Sequence, residues 1–501
     1  MARHLSYWND TARAQPFPRL SGDIEADVAI IGGGIVGVTT ARMLKDRGLT
    51  VVLVEALAIG EEVTGKSTAK ITSQHNVALT GIERKFGEDG ARLYAEANET
   101  GVQTLIDLAE RHSIACGLER KPAFTYTNDE KEVSRIEREV ETARRFGLPA
   151  SLTRETGLPF QVLAAMRWDD QAQFHPVDYV KGLAATVPGD GCQVFERSRV
   201  VDWDPRRIAT DRGSVRAANV VMATHLPLGK TGLFFAENYP HMHPVIMGRA
   251  DSKRVPDGMY ISAESPRHSV RGHRDDRGDS WLIFAGPAFK HGHVDEERAS
   301  FADLERFAAD HFGVAPDYRW TNEDYTPMDH APFIGRSSMV GESCLVATGF
   351  NAWGISNGTA AAILIADLIQ GRDNPWLKLF DATRVKPIAG AAEFASGNAA
   401  TAKHLIGGYL ARKPDRFDEL APGEAAILKV DGKNVAGFRD ETGTLHAVSA
   451  VCTHMGCLVG WNETDRSWDC PCHGSRFALS GEVMHGPAVQ PLAPVKAKEP
   501  V

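Results

Sequence analysis

The sequence lacks long hydrophobic runs. No stretch of its 501 residues approaches the ~18 uninterrupted apolar residues that a membrane helix requires. The opening segment, MARHLSYWNDTARAQPFPRL, also lacks the apolar core of a secretory signal peptide. We therefore expect a chain without a transmembrane segment that resides in the cytoplasm.

An excess of positive charge is missing as well. The chain carries 56 Lys and Arg residues against 65 Asp and Glu residues, which gives a formal net charge of -9. Such a chain is not drawn electrostatically to nucleic acid, so we expect no nucleic-acid partner. With 43% hydrophobic and 24% charged residues, the composition is that of a globular protein, and the length predicts two to four domains.

Cysteine is scarce, with seven residues in the whole chain. Cys116, Cys192 and Cys344 are scattered, whereas the other four fall within the last 50 residues. In a reducing cytoplasm, such a local group favours a metal site over a framework of disulfides.

What the N-terminal region does contain is a glycine turn between two strand patterns. The segment ADVAIIGGGIVG reads as an apolar strand that ends in glycines, and a helical pattern and a second strand, TVVLVE, follow. Gly32, Gly34 and Gly37 fit the G-x-G-x-x-G pattern, which supplies a tight turn and close backbone approach to a pyrophosphate. Glu55 ends the second strand, where its carboxylate can accept both ribose hydroxyls. These features predict a dinucleotide site.

A second G-x-G-x-x-G pattern, expected in a reductase that also binds NAD(P)H, is absent. Instead, the late segments TPMDHAPFIG, CLVAT and GFNAWGISNG lead into an apolar helix pattern, TAAAILIADLI. A second glycine turn at the start of a helix suits a cofactor that spans the sheet, because the helix N-terminus stabilises negative charge on a reduced flavin. The pattern therefore favours FAD over NAD.

Over residues 25–370, the chain resembles the D-amino-acid oxidase/glycine oxidase superfamily of FAD-dependent oxidoreductases. The resemblance rests on the fingerprint with Glu55, on the segment 329–335, and on the segment 347–350 with Gly354. It implies an α/β Rossmann-like FAD-binding domain interleaved with an α+β substrate domain. It also implies that the following residues contact FAD: Ser67, Thr68, Val200, Gly349, Asn351 and Gly354. His225 stands where the family usually has a glycine.

Flavin chemistry on a small substrate needs groups that orient it, often an arginine forked onto a carboxylate. Arg267 and Arg271, in SPRHSVRG, follow a predicted strand, and their spacing of four in an extended segment places them on one face. A solvated basic loop is the alternative interpretation. Trp353 is a candidate wall of the flavin site. His268, Lys290, His291 and His293 are candidates for a base or polar lining, and His75 for polar lining or covalent attachment of FAD.

The C-terminal region changes character. Short strand-like segments, GEAAILKV, DGKNVAGFRD and ETGTLHAVSAV, are separated by Asp-Gly or Gly-rich turns, which predicts a small all-β domain. Cys452-x-His454 and Cys470-x-x-His473 then each supply one thiolate and one imidazole. A zinc finger would pair Cys with Cys and His with His. The mixed halves instead suit a [2Fe–2S] cluster with two thiolates on one iron and two imidazoles on the other.

The motifs CTHMGC and CPCHGS resemble those of Rieske domains of the bc-complex type. The resemblance implies that Cys452, His454, Cys470 and His473 bind the cluster and that Cys457 and Cys472 form a disulfide. Residues 484–489 would be a proline loop over the cluster, and the Ser475 hydroxyl would donate to a bridging sulfide. Phe477 stands where the members of highest potential have a tyrosine, and loss of that donor lowers the potential.

These inferences predict the following domains: FAD-binding, 1–75, 166–224 and 321–370; substrate, 76–165 and 225–320; connecting strap, 371–412; Rieske, 413–501. The resulting hypothesis is a dehydrogenase of a small amine or amino acid that passes electrons from FAD to the [2Fe–2S] cluster and on to an external acceptor. The alternatives are an NAD(P)H-driven flavin/Rieske reductase and a redox sensor or electron-transfer module. No convincing 2-His-1-carboxylate set is apparent in the sequence, which disfavours a Rieske oxygenase.

Overall fold

The structure is a computed structural model and describes residues 2–229, 231–232, 234–337, 341–384 and 416–495. Its helices and strands confirm the expected fold class: a Rossmann-like α/β unit interleaved in sequence with an α+β unit, followed by a small all-β domain. Of the strap expected at 371–412, residues 385–412 lie outside the described part. The predicted boundaries remain a prediction.

Among the described residues, the helices are α1 Tyr7–Thr11, α2 Ile35–Asp46, α3 Val63–Lys66, α4 Leu79–Arg111, α5 Glu130–Arg145, α6 Pro176–Ala185, α7 Phe234–Glu237, α8 Val294–Phe312, α9 Gly354–Ile369 and α10 Leu377–Phe380. No helix in this part of the chain has both the length and the apolar character needed to cross a membrane.

The strands of the two large N-terminal units are β1 Arg3–His4, β2 Gly22–Ile31, β3 Val51–Val54, β4 Lys70–Ile71, β5 Glu119–Arg120, β6 Ala123–Thr127, β7 Ala150–Thr153, β8 Ala164–Trp168, β9 Ala172–Gln173, β10 Gln193–Phe195, β11 Asp202–Asp204, β12 Arg207–Ala209, β13 Gly213–Met222, β14 Asn238–Arg249, β15 Met259–Ser262, β16 Ser269–Arg274, β17 Ser280–Ala285, β18 Tyr318–Pro327, β19 Phe333–Ser337 and β20 Gly341–Thr348. Those of the C-terminal domain are β21 Ala425–Val430, β22 Lys433–Arg439, β23 Leu445–Ser449, β24 Gly460–Asn462, β25 Ser467–Asp469, β26 Arg476–Phe477 and β27 Val483–His485.

The Rossmann-like unit is built on an eight-stranded sheet. Its five parallel strands run in the order β10-β3-β2-β13-β20, and β12, β11 and β19 extend it with antiparallel pairing. Helix α2 connects β2 to β3 and packs against α9. All four residues of β3 are buried, which is expected where both faces of a parallel sheet are covered.

The α+β unit is a nine-stranded sheet in the order β1-β18-β14-β17-β16-β15-β6-β8-β7. Helix α8 covers part of it, and Phe301 and Leu304 pack with Leu282 and Phe284. Strand β18 belongs to this sheet, because it pairs antiparallel with β14 from Asn238–Pro327 to Met247–Tyr318. The paired residues lie 71 to 89 positions apart in the sequence.

The C-terminal domain consists of a three-stranded sheet, β21-β22-β23, and a four-stranded sheet, β24-β25-β26-β27. It lies directly against the α+β unit. Glu297 on α8 accepts hydrogen bonds from the backbone amides of Glu463 at 3.1 Å and Thr464 at 2.8 Å. Gly292 and Gly460 face each other so closely that a side chain at either would overlap the backbone of the other. The two units therefore meet at backbone contact.

Candidate functional site

The glycine turn after β2 forms an open backbone cradle. Gly32 has φ of +108°, and a side chain there would overlap the carbonyl oxygen of Ala223. A side chain at Gly37 would overlap the carbonyl oxygen of Gly32, so α2 can begin this close to the turn only with glycine. At the end of β3, the Glu55 carboxylate accepts from the amides of Gly33 at 2.6 Å and Leu57 at 2.7 Å. These bonds hold the carboxylate at the rim of the cradle. The cradle fits a dinucleotide.

A cavity of about 870 Å³ begins at this cradle and reaches the C-terminal domain. The predicted site residues that line it are Gly32, Gly34, Glu55, Ser67, Thr68, Val200, Arg267, Asn351, Trp353 and Gly354. The cavity wall also includes Met484, His485 and Gly486 of the segment predicted to cover the cluster. One cavity thus joins the two predicted cofactor sites.

Two predicted contacts lie outside the cavity lining. Gly37 packs against Gly32 behind the turn. Gly349 has φ of +77°, and a side chain there would overlap Pro327 and Asn238, so glycine permits the turn into α9 to sit against the neighbouring strands. Their role is to shape the site rather than to line it.

Arg271, the other arginine predicted to bind substrate, also lies outside the cavity lining. It is 0% exposed, and its guanidinium donates to the carbonyl oxygens of Thr68 at 2.5 Å, Gly272 at 3.0 Å and Phe174 at 3.3 Å. The side chain also lies over the ring of Trp8. Burial lowers the pKa of Arg271 to about 9. This arginine holds the backbone behind the cavity, and Arg267 is the one of the pair that lines it.

Trp353 and His75 stack in the cavity wall, with ring centroids 4.7 Å apart. The Nδ1 atom of His75 lies 2.6 Å from the Tyr94 hydroxyl, and Nε2 lies 2.8 Å from the Ser356 hydroxyl. Burial lowers the pKa of His75 to about 3, so the ring is neutral. Since both nitrogens are engaged, the structure places His75 as polar lining.

The other predicted histidines do not reach the cavity lining. His268 lies 2.7 Å from Asp303 and stacks on Phe307, and His293 lies 3.3 Å from Glu296. Lys290 is exposed. His291 is buried beside Glu323, with 3.6 Å between Nε2 and Oε1.

Sequence reasoning missed several polar residues that do line the cavity: Lys70, His241, His243, Asn322, Glu323, Asp324 and His485. His241 and His243 are two apart on β14, and this alternation was the available signal, since residues i and i+2 of a strand share a face. Burial, and next the neighbouring His241, lower the pKa of His243 to about 4. The Lys70 ammonium donates to the Tyr260 carbonyl at 2.8 Å and the Ser269 hydroxyl at 2.5 Å, and burial lowers its pKa to about 7.

In the C-terminal domain, two loops present the predicted cluster ligands in matching turns. The Gly456 amide donates to the Cys452 carbonyl at 3.0 Å, and the Gly474 amide donates to the Cys470 carbonyl at 3.0 Å. The expected disulfide between Cys457 and Cys472 is present and joins the loops. Its formation leaves Cys452 and Cys470 as free, buried thiols.

The remaining groups of this site fit an iron–sulfur cluster. The thiols of Cys452 and Cys470 lie in hydrogen-bond contact, which lowers the pKa of Cys452 and raises the pKa of Cys470, so the two sulfurs are close enough to bind one iron. The rings of His454 and His473 are 5.0 Å apart, and the Nδ1 atom of His473 is buried without a hydrogen-bond partner, as expected of a ligand atom. The Ala488 amide donates to the Ser475 hydroxyl at 3.0 Å, so the predicted proline loop is tied to the ligand loop.

The imidazole edge of this site faces the N-terminal units. Phe235 lies against both rings, with centroids 5.3 Å from His454 and 5.2 Å from His473. The Tyr325 hydroxyl, on β18, lies 2.9 Å from the His473 carbonyl and 2.9 Å from the Glu323 carboxylate. Burial raises the pKa of both Glu323 and Tyr325 well above their ordinary values.

Comparison with known proteins agrees with this geometry. The family model described as FAD dependent oxidoreductase (DAO) matches residues 27–368, and the model of the Rieske [2Fe-2S] domain matches residues 414–496. The chain belongs to the DAO family of FAD-dependent oxidoreductases. It carries a C-terminal Rieske domain, and its cofactors are FAD and a [2Fe–2S] cluster.

Relatives of this DAO-family enzyme share either the whole architecture or the flavin part. The putative Rieske 2Fe-2S iron-sulfur protein YhfW of Bacillus subtilis is 35% identical over 492 residues, 97% of this chain and 96% of its own length. The gamma-glutamylputrescine oxidoreductase of Escherichia coli is 24% identical and covers 74% of this chain and 90% of its own length. The crystal structure of glycine oxidase from Geobacillus kaustophilus covers 72% of this chain and all of its own, with a TM-score of 0.60 at 19% identity, and so shows the same fold.

Proposed function

We propose that this oxidoreductase dehydrogenates a small amine or amino acid and that the electrons pass through FAD and the Rieske cluster to an external acceptor. The observation that carries the proposal is the single cavity whose walls include both the dinucleotide cradle and the loop over the cluster. When bound, FAD supplies the two-electron acceptor, and the cluster supplies a one-electron centre.

The position of Arg267 favours a substrate that carries an anionic group. It lines the cavity, and among the described residues its guanidinium makes no hydrogen bond or ion pair within the protein. A guanidinium without such partners can bind the carboxylate of a substrate, whereas the guanidinium of Arg271 donates to backbone carbonyls.

Asp324 favours a substrate with a cationic or hydrogen-bonding nitrogen. It lies in the cavity wall on β18, 3.8 Å from the Nε2 atom of His241. A cavity that is lined by both a carboxylate and an arginine suits a molecule that carries an amine and an acid. The name of the Escherichia coli relative also points to an amine. In this arrangement Trp353, stacked on His75, forms the wall near the start of α9.

The test is anaerobic reduction of the holoenzyme by a panel of amines, amino acids and hydroxy acids. A true substrate bleaches the flavin absorbance and, in the same sample, produces the EPR signal of the reduced cluster. NADH and NADPH should bleach neither, and rapid reduction by either would favour the reductase alternative.

A matched pair of variants tests the order of the two centres. Cys452→Ser should lose the cluster, keep substrate-driven bleaching of the flavin, and lose reduction of one-electron acceptors. Cys344→Ser, which changes a buried free cysteine on β20, should retain all three. If Cys452→Ser still reduced those acceptors at the wild-type rate, the proposed order of electron transfer would be wrong.

A further inference from the structure

Three side chains from distant parts of the sequence converge between the dinucleotide cradle and the Rieske domain. His225 follows β13, Glu323 lies on β18, and His485 ends β27 in the Rieske domain. One nitrogen or oxygen atom from each lies within 4.8 Å of the others. All three side chains line the cavity, and Glu323 and His485 are buried.

The distances between these atoms are those expected if all three bind the same metal ion. The Nε2 atom of His485 lies 3.4 Å from Glu323 Oε2 and 3.4 Å from His225 Nδ1. Both distances exceed the usual range for a direct hydrogen bond, about 2.7–3.2 Å. They match the edge of a tetrahedron, about 3.3–3.4 Å, for metal–ligand bonds of about 2.0–2.1 Å.

Glu323 presents an unpartnered atom to this position. The side chain is 1% exposed; its Oε1 accepts from the Tyr325 hydroxyl at 2.9 Å, and its Oε2 has no hydrogen-bond partner. Tyr325 therefore fixes the carboxylate so that Oε2 points to the two imidazoles. Buried oxygen atoms without a hydrogen-bond partner are uncommon in proteins, so this atom is a candidate to bind an ion.

A carboxylate also lies beside the other nitrogen of His225. The Nε2 atom is 3.7 Å from Asp324 Oδ1, on the opposite side of the ring from His485. This distance is too long for a hydrogen bond, but the negative charge of a carboxylate at this place favours a proton on Nε2 and leaves Nδ1 available as a ligand atom.

His225 has an unusual backbone conformation. Its φ is +66°, in the left-handed region that favours glycine, and it stands where the resemblance leads one to expect a glycine. A histidine in this conformation is consistent with a role for its side chain.

We propose that His225, Glu323 and His485 bind a divalent first-row transition metal ion that is separate from the cluster iron. Two imidazoles and one carboxylate leave at least one coordination position, and this position faces the cavity because all three ligands line it. The ion would tie His485 of the Rieske domain to the flavin part of the chain.

The experiment uses holoenzyme with FAD and a full cluster, stripped of loosely bound ions by a mild chelator. Zinc is the probe: its binding is measured by competition with a chromophoric zinc indicator, and its content is measured by mass spectrometry against protein. Wild type should bind one zinc in addition to the two cluster irons. X-ray absorption at the zinc edge should show nitrogen and oxygen ligands and no sulfur.

The variants are His225→Gly, Glu323→Gln and His485→Asn, and each should weaken zinc binding at least about tenfold. His243→Asn, which changes a cavity histidine outside the trio, is the matched control and should bind zinc like the wild type. His225→Gly relieves the left-handed backbone, so it should keep FAD and the cluster EPR signal, and its loss of zinc cannot be ascribed to unfolding. The proposal is overturned if wild type takes up no additional zinc, if sulfur ligates it, or if His225→Gly binds it as tightly as wild type.

Discussion

The Nε2 atom of His454 lies 3.0 Å from the backbone carbonyl oxygen of Gly229. His454 is a proposed ligand of the cluster, and Gly229 belongs to the segment that follows β13 in the flavin part of the chain. His454 is 8% exposed and His473 is 7% exposed, so both imidazoles are covered by that part. In the proposed function, this arrangement favours a short path from flavin to cluster, and the external acceptor would dock on another face of the Rieske domain.

The contact of α8 with the Rieske domain predicts a pH dependence of stability. Burial raises the pKa of Glu297 to about 7, although amides and the Thr464 hydroxyl oppose this. The folded chain thus retains a proton that the unfolded chain loses between about pH 4.5 and 7, and stability falls as pH rises through that window. Glu297→Gln should match wild type at pH 5 and exceed it at pH 8 by up to about 3 kcal/mol in urea unfolding. Asp295→Asn, at an exposed position, should not reproduce the effect.

A buried ion-pair network in the Rieske domain predicts a large loss of stability. The guanidinium of Arg476 lies 2.6 Å from Asp465 and 3.2 Å from Asp469; Arg476 and Asp469 are buried, and the Asp465 side chain is 9% exposed. Arg476→Met would leave the two carboxylates without this partner and should cost about 3–5 kcal/mol in denaturant unfolding followed by cluster absorbance. Arg466→Met breaks an exposed pair with Glu441 and should cost less than about 1 kcal/mol. Similar losses in the two variants would contradict the role of burial.

The two arginines of SPRHSVRG should respond differently to substitution. Arg267→Lys should lower kcat/KM about 10–100-fold, mainly through KM, because the cavity loses a forked donor to the substrate. Arg271→Lys should instead lower the unfolding temperature, because three backbone carbonyls lose donors, and should leave KM near the wild-type value. Steady-state kinetics and thermal unfolding of both variants separate these outcomes, and the reverse assignment would refute the substrate role of Arg267.

We expect a substitution at Phe477 to change the redox potential of the cluster. The side chain is 0% exposed in the core that surrounds Cys452 and Cys470. Phe477→Tyr would supply a hydroxyl donor to cluster or cysteine sulfur, and one such bond should raise the midpoint potential by on the order of 40 mV. An EPR-monitored redox titration measures the change. Phe477→Leu adds no donor and serves as the control, and an equal rise in that variant would rule out the hydrogen bond as the cause.

The contacts of His75 predict that FAD is bound without a covalent link. Both ring nitrogens are engaged, by Tyr94 and Ser356, and the free cysteines Cys116, Cys192 and Cys344 are absent from the cavity lining. Precipitation with trichloroacetic acid should therefore leave all of the flavin in the supernatant. A pellet that fluoresces as flavin would contradict this expectation.

The sequence was sufficient for the sites whose chemistry is written in contiguous residues. In these sites the spacing of residues along the chain determines the geometry. They are the turn of Gly32 and Gly37 with Glu55, and the loops CTHMGC and CPCHGS. The family and both cofactors could be predicted from these segments.

The substrate side of the cavity could not be predicted in the same way, because it depends on contacts between distant segments. Arg271 and Arg267 are equivalent in sequence, and only the positions of the Thr68 and Phe174 carbonyls distinguish them. Likewise, His225, Glu323 and His485 lie far apart in the chain and meet only because the Rieske domain packs on β18. The proposed metal site therefore depends on tertiary structure and could not be predicted from local spacing.

The facing glycines, Gly292 and Gly460, constrain how the enzyme can work over time. A carrier domain that moves between an electron donor and an electron acceptor needs a loosely packed, hydrated interface that can open in each cycle. At Gly292 and Gly460 the two backbones are in direct contact, so a rotation of the Rieske domain would have to separate the most closely packed part of the interface. We therefore expect the Rieske domain to keep this position relative to the flavin part of the chain throughout the catalytic cycle.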